Sequence, residues 1–499
     1  MRVILVYPRF KKTYWGYQDV LFYVGKQAAF PPPGVQALEA MLPNDWERKI
    51  FDLNIEELID KDIRWADYVW ISAMSTQRDS IKEVIARCKK LGRPVILGGP
   101  IVKTRGAEFP EVDCFYEGEA EAKEFVELLS DMEKRELKRF YRAEKFPDLN
   151  GSKACNWNCI NIHAYSSVII PVTKGCPYGC GFCDVADISG QVPRMRPECI
   201  VFEDLNRLFD IGFRGAILLA DDNVVGDKSR SKQFLSRLAG WQKAHGYPFE
   251  FTGEFPITIA DDPEIMDILV AAGFRKVFLG LETPNKASLL ECNKRQNVKR
   301  NMEACVERIR FHGLIPMSGF IVGFDNDNPE TFADEMVQFI QNAGIVIAMV
   351  GVLQAVPGTA IYEKLQKEGR LRDLPSGNNT DCYPNFVPRM PLEKLVQGYK
   401  NILQRIYSPK GYYITICSFL RTYDPSLRPN KRLGWTNFKA FMRANLWIGL
   451  LGGPKTSYYY WKSLLKVVFS KKRQAFADIV AFQIYGAHFR GIAKSVEKA

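Results

Sequence analysis

Between residues 167 and 353 the sequence repeats one local pattern six times. A short run of apolar and β-branched residues is followed by a longer stretch with helical spacing. The strand-like runs fall at 167–173, 215–220, 249–254, 276–282, 315–323 and 345–353; the helix-like stretches fall at 197–211, 228–245, 263–272, 298–312 and 329–343. Strands that alternate with helices pair in parallel, because each helix carries the chain back across the sheet. Six such units make six-eighths of a closed eight-fold barrel, with any active site at the C-terminal mouth of its strands.

The same alternation opens the chain. Strand patterns at 3–7, 48–52, 68–72, 94–97 and 113–116 are interleaved with helix patterns at 35–42, 80–91 and 120–130. They predict a Rossmann-like, doubly wound parallel sheet over residues 1–146. Ligands in such sheets sit at the carboxyl ends of the strands. Those ends carry Tyr7-Pro8, Ser72 to Ser75, Gly98-Gly99-Pro100 and Glu117-Gly118-Glu119. Glycine there permits close approach of a ligand, and it equally serves a plain tight turn. The expected fold class is therefore α/β: a doubly wound domain (1–146), a polar linker (147–161), a partial (β/α)6 barrel (162–360) and a mainly helical, basic and aromatic extension (361–499).

The chain has 499 residues, 46% hydrophobic and 25% charged, a globular composition that excludes a disordered chain. No apolar run reaches the roughly 20 residues of a membrane span. The N-terminus begins on a strand pattern and not on a cleavable leader, which predicts a cytoplasmic protein with reduced thiols. The charge is uneven. Residues 401–499 hold 17 Lys and Arg against 3 Asp and Glu, so the excess positive charge of the chain resides there. Such a block suits an anionic partner. Amphipathic patterns at 438–451 and 457–470, with Tyr458-Tyr459-Tyr460-Trp461 beside Lys462 and Lys466, leave two readings open: a helical cap on the barrel, or a peripheral membrane contact.

Cys176-Pro-Tyr-Gly-Cys180-Gly-Phe-Cys183 places three thiols within eight residues, after the first barrel strand and among glycines. Soft thiolates select zinc or iron–sulfur clusters. Structural zinc wants a fourth protein ligand, and no histidine or cysteine stands at a convincing spacing. Three thiolates on a cubane would leave one iron open to a substrate or cofactor.

This motif resembles the radical S-adenosylmethionine (SAM) enzymes, and the resemblance covers residues 165–360. It implies a [4Fe–4S] cluster held by Cys176, Cys180 and Cys183, with SAM on the open iron. It further implies Phe182 near the adenine, and Asp221, Asp222, Glu254, Glu282 and Gly319 as SAM contacts at the strand ends. Asp221-Asp222-Asn223 stands where the family more often has Gly-Gly-Glu. The first domain resembles the cobalamin-binding domain joined to many radical enzymes, through Phe30-Pro-Pro-Pro-Gly34, Ser72-Ala-Met-Ser75, Gly98-Gly-Pro100 and Glu117-Gly-Glu119. The resemblance implies cobalamin contacts from Tyr7, Ser72, Ser75, Gly98, Gly99, Gly118 and Glu119. The Asp-x-His-x-x-Gly motif is missing, and no histidine precedes His163, so cobalt would lack a protein imidazole.

Gly323-Phe-Asp-Asn-Asp327, Pro357-Gly-Thr-Ala-Ile-Tyr-Glu363 and Ile406-Tyr-Ser-Pro-Lys410 narrow the resemblance to the cobalamin-dependent group with an uncharacterised C-terminal extension. That group includes bacteriochlorophyllide side-chain methylases and hopanoid methylases. The implied activity is methyl transfer to an unactivated sp3 carbon of a large apolar substrate. A bacteriochlorophyllide-type tetrapyrrole comes first, because the basic extension suits a carboxylate. A hopanoid-type lipid comes second, and a tetrapyrrole cyclase or oxidase third. The implied electron donor is acidic, of the flavodoxin or ferredoxin kind. An iron–sulfur electron carrier is a competing class that needs neither the barrel nor an open iron. Nucleic acid is not an expected partner: a methylthiotransferase would carry a second cysteine trio, whereas the first domain holds only Cys88 and Cys114.

Overall fold

The computed structural model describes residues 1–429 and 434–498. Lys431 and Arg432, counted above in the charge of the extension, lie outside the described residues. Two parallel sheets dominate. The first contains β1 (Arg2–Tyr7), β2 (Glu47–Asp52), β3 (Tyr68–Ser72), β4 (Val95–Gly98), β5 (Cys114–Glu117) and β6 (Phe140–Arg142), in the order β2-β1-β3-β4-β5-β6. Its strands are near-continuous apolar runs because helices cover both faces. Separate cores form on the two sides, one around Ile4, Val69 and Leu97, the other around Val3, Trp70 and Phe125. The edge strand β6 is an addition to the expected five. It is three residues long and exposes Phe140, too short to show a period.

The second sheet is the half-barrel. After β7 (Ser167–Ile169) the chain makes a small hairpin, β8 (Thr173–Lys174) against β9 (Arg194–Met195). It continues through β10 (Ala216–Leu219), β11 (Glu250–Phe255), β12 (Phe274–Glu282), β13 (Ile315–Val322) and β14 (Ile347–Val352). All six long strands pair in parallel in the order β14-β13-β12-β11-β10-β7. The sequence pattern at 167–173 runs as one strand; in the structure it breaks at Ile170, and Thr173 leaves the barrel to pair with Met195.

Residues 147–161 form no strand, yet they are tightly packed. Trp157 is buried. The Cys155 amide donates to Asp204 at 2.7 Å, and Arg196 and Arg207 donate to the carbonyls of Lys153 and Cys155. Arg196 and Asp204 face each other at 3.1 Å, both buried. The linker is thus fixed to the barrel by backbone groups that its polar composition did not advertise.

The extension is helical, as its pattern predicts: Leu392–Tyr407, Pro409–Thr422, Trp435–Ala444, Pro454–Val468 and Phe476–Lys498. It shares one core with the barrel. The early helix Gln18–Val24, set between β1 and β2, packs on the helices Trp435–Ala444 and Phe476–Lys498. Asp19 meets buried His488 at 3.2 Å, and the Tyr14 hydroxyl donates to Val350 O at 2.9 Å.

Removing one partner of a buried ion pair leaves the other charge uncompensated. Arg196→Met should lower the unfolding free energy of the cofactor-free protein by about 3–5 kcal/mol. Urea denaturation followed by circular dichroism measures this; a loss well under 1 kcal/mol would mean that the pair does not secure the linker.

Candidate active site

The carboxyl ends of both sheets open on one cavity of about 2100 Å³. A pocket for one small ligand is usually roughly 300–1,000 Å³, so this one has room for several. The first sheet contributes Tyr7, Ser72, Ser75, Gly98, Gly99, Gly118 and Glu119; the barrel contributes Phe182, Asp222, Glu282 and Gly319. Two loops outside the sheets complete the wall, through Trp15 and Phe30 on one side and Gly377 to Asn379 on the other. Of these, only Phe30, in the Phe30-Pro-Pro-Pro-Gly34 motif, is marked by the sequence; Trp15 and Gly377 to Asn379 have no strand or helix period and no motif. Asp221 and Glu254 stand behind the cavity wall and are not part of its lining.

The cysteine loop is the long excursion of the β8–β9 hairpin. Its base is secured from the other domain. Glu119 takes Arg194 in a two-pronged ion pair at 2.6 and 3.0 Å and Lys174 at 3.1 Å. Those two cations are the neck residues of the hairpin, so one carboxylate at the end of the first sheet closes the loop that carries the thiols. Inside the loop Gly175 has φ +93° and lies so close to Val192 O that a Cβ would clash at 2.7 Å. The Gly181 amide donates to Cys292 O at 2.8 Å, and its carbonyl accepts from the Ile361 amide at 2.9 Å. The Pro357-Gly-Thr-Ala-Ile-Tyr-Glu motif therefore acts as a brace for the cysteine loop.

Cys176, Cys180 and Cys183 are half-buried free thiols. Burial raises the Cys176 thiol and pushes Cys183 up to about 12; a soft metal would be needed to hold them as thiolates. Among the described residues no group of three His, Cys, Asp or Glu could hold a metal ion. Lys294 is the counter-charge. Its ammonium is 2.8 Å from Glu282 and 5.7 Å from the Phe182 ring centre, and its affinity for the proton is raised by Glu282, Cys180 and Cys183. Nothing in the sequence pattern marks Lys294; it stands next to an αL residue, Asn293, in a turn between two short helices.

The carboxylates divide into two kinds. Asp221 is buried and accepts the Val172 and Thr173 amides through one oxygen, at 2.7 and 2.8 Å. Its second oxygen has no partner, and burial pushes it up to about 7. It shapes the turn that ends β7. Asp222 accepts the Gly175 amide at 2.7 Å and also lines the cavity. Glu254 is pushed up to about 7 by burial and by the charges of Asp222 and Asp221. Glu282 sits at φ +64°, a left-handed conformation unusual for glutamate, and aims at Lys294. Asp327 of the Gly323-Phe-Asp-Asn-Asp motif accepts the Gly323 and Phe324 amides and is pushed up to about 6 by burial. That motif is a loop lock and not a ligand.

On the opposite wall, packing against neighbouring backbone and side chains demands glycine. Gly99 has φ +88° and a Cβ there would meet Ala73 O at 2.6 Å; a Cβ on Gly118 would meet Ala143 at 2.8 Å. Ser75 Oγ bonds Thr104 Oγ1 at 2.9 Å. Among the described residues no histidine lines the cavity.

The chain matches the radical SAM superfamily over residues 170–339 and a domain of unknown function, DUF4070, over 359–499. An uncharacterised methyltransferase of Synechocystis is 36% identical over 83% of this chain and 77% of its own length. The hopanoid C-2 methylase of Rhodopseudomonas palustris is 31% identical over 93% of this chain and 89% of its own. The chain belongs to the radical SAM methyltransferases. A third member of that family, the bacteriochlorophyllide d C-12(1)-methyltransferase of Chlorobaculum tepidum, is 25% identical over 70% of this chain and 77% of its own length. The fold is that of the cobalamin-dependent radical SAM enzyme OxsB, solved with aqua-cobalamin and SAM: TM-score 0.64 at 13% identity, covering 100% of this chain and 80% of that one.

Each buried amide that loses its only acceptor costs about 1–3 kcal/mol. Asp221→Ala orphans two, so the cofactor-free methyltransferase should melt well below the parent. Differential scanning calorimetry checks this; an unchanged melting point would remove Asp221 from the turn.

Proposed function

We propose that this protein is a cobalamin-dependent radical SAM C-methyltransferase acting on an sp3 carbon of a large polycyclic apolar substrate. The observation that carries the reading is the single cavity onto which both sheets direct their carboxyl ends, with the cysteine loop on one wall and a glycine-lined face on the other. Methylating a carbon with no acidic proton needs hard chemistry from cofactors, with protein supplying orientation and dryness. When bound, the cluster and SAM supply the hydrogen-abstracting radical and cobalamin carries the methyl group.

The chain's own residues have separable tasks. Cys176, Cys180 and Cys183 hold the cluster. Asp222, on the cavity wall, offers negative charge to the ammonium of SAM, and Glu254 adds its charge from behind that wall. Phe182 offers an apolar ring to its adenine, and Lys294 fixes Glu282 while placing positive charge beside the thiolates. Gly98, Gly99 and Gly118 line the face on which a broad, flat ring would lie, and no histidine of the described residues is in that lining. Phe278, Phe320 and Met349 supply an apolar barrel wall that excludes water from the reacting carbon.

For the substrate, the extent of the matches carries the argument. The hopanoid C-2 methylase matches 93% of this chain at 31% identity, the bacteriochlorophyllide methyltransferase 70% at 25%, which favours an uncharged, hopanoid-type lipid over the tetrapyrrole that the basic extension suggested. The cations of the lining do not decide: Lys174, Arg142 and Lys103 pair with carboxylates, whereas Arg139 donates to a carbonyl, that of Pro110. A bacteriochlorophyllide-type substrate is the second reading, favoured by the match to that methyltransferase.

Anaerobic incubation with methyl-labelled SAM, cobalamin, reductant and either hopanoid lipids or bacteriochlorophyllides tests the reading. The expected result is one labelled methyl on the lipid, with 5′-deoxyadenosine and S-adenosylhomocysteine formed in step. Labelling of the tetrapyrrole alone would reverse the substrate order, and no label on any carbon would remove the methyl-transfer reading. Cys180→Ala should abolish both the brown colour of the reconstituted protein and turnover. Glu254 is neutral below its raised pKa and charged above it, and the ammonium of SAM favours the charged form. SAM affinity should therefore rise between about pH 6 and about pH 8, and Glu254→Gln should flatten that rise. Equilibrium dialysis reads both; equal slopes would show that the charge of Glu254 does not reach bound SAM.

A further inference from the structure

The helix Trp435–Ala444, continued by a wider helical turn over Asn445–Leu450, and the helix Pro454–Val468 form a hairpin whose turn is Leu451 to Gly453. A surface helix needs one apolar stripe, facing the core. These two have a second. Ala440, Ala444 and Ile448 are buried on the first arm, and Tyr460, Leu464 and Val467 on the second. On the solvent side the first arm also exposes Trp435, Phe438, Met442 and Leu446, at helical spacing, and the second exposes Tyr458, Trp461 and Leu465. Leu450 and Leu451 crown the tip, with Leu450 66% exposed; Phe469, just past the second arm, is 81% exposed. The hairpin is rigidly made: Tyr460 donates to Asn445 at 2.6 Å, and the Trp461 ring nitrogen to Gly449 O at 2.9 Å.

Charge selects the occupant. From Asp424 to Asp478 the sequence has no acidic residue and eleven Lys and Arg. Lys439, Lys455, Lys462 and Lys466 are exposed on the two arms themselves. Lys439 stands 5.7 Å over Trp435, and Lys462 lies 5.3 Å over Tyr458. A second copy of this chain would bring these cations against their own kind. An anionic lipid surface offers both what the apolar stripe and what the cations want: acyl chains for the rings and leucines, headgroup charge for the lysines. No described helix is long and apolar enough to cross a membrane.

We propose that this hairpin is a monotopic docking surface for an anionic bilayer, with Leu450 and Leu451 inserted at the tip and the lysines on headgroup phosphates. The inference is independent of which polycycle the active site takes.

Flotation of the full-length protein with vesicles of phosphatidylglycerol and phosphatidylcholine in equal parts, against phosphatidylcholine alone, tests it. The anionic vesicles should retain at least about tenfold more protein, and added salt should cut that excess. A double substitution, Leu450→Glu with Leu451→Glu, should abolish retention with the circular dichroism and melting point unchanged. Should that variant misfold, Lys462→Gln with Lys466→Gln, which touches only exposed groups, should lower the preference for anionic vesicles. Equal retention on both vesicle types, no retention on either, or a dimer in sedimentation equilibrium that the same substitutions dissociate would each overturn the proposal.

Discussion

One carboxylate ties the molecule's two halves together. Glu119 belongs to the end of the first sheet, yet its partners Lys174 and Arg194 are the two neck residues of the cysteine hairpin. A bidentate arginine pair in a half-dry seam is both directional and strong. With Glu121–Lys174, Lys103–Asp187 and Tyr165–Asp52, it holds the glycine-lined wall opposite the thiols. The resemblance implies Glu119 as a cobalamin contact, and it does line the cavity. It also pairs with Lys174 and Arg194, which holds the two domains against each other.

Around that clamp the thiol loop is held from every side by different parts of the chain. The Gly181 amide is tied to Cys292, its carbonyl to Ile361, and the Gly175 amide to Asp222. None of these holders is close to the loop in sequence except through the fold. The Pro357-to-Glu363 motif braces the loop through the Ile361 amide, and Asp327 of the Gly323 motif locks its own turn. A cluster site placed loosely would not present its open corner consistently.

Much of the fold was legible because parallel strands buried on both faces appear as uninterrupted apolar runs, and the long helices show their period. The cysteine trio was legible because three thiols among glycines have no packing purpose. What the sequence hid has physical reasons. The strand Phe140–Arg142 is an edge of three residues with no room for a pattern. The segment around Tyr14 and Trp15 is aromatic without periodicity and finds its partners more than 300 residues away. Lys294 looks like any turn lysine until Glu282, Cys180 and Cys183 surround it. The linker at 147–161 is polar, but its carbonyls and amides satisfy buried Arg196 and Asp204 and the exposed Arg207. Asp221 and Asp222 are adjacent in sequence and serve different ends, one the turn and one the cavity, a division that only the direction of each side chain reveals.

The seating of Gln18–Val24 on Phe476–Lys498 has a consequence for biogenesis. The first sheet can assemble while synthesis continues, but Tyr14 and Asp19 lack Val350 and His488 until almost the whole polypeptide has emerged. Contacts of such long sequence separation form late and slowly. A nascent chain would therefore carry an unsheathed aromatic strap across its half-finished barrel, which is the sort of surface that chaperones bind. Expression at reduced temperature and with slow induction suits an architecture that fastens its opening segment last.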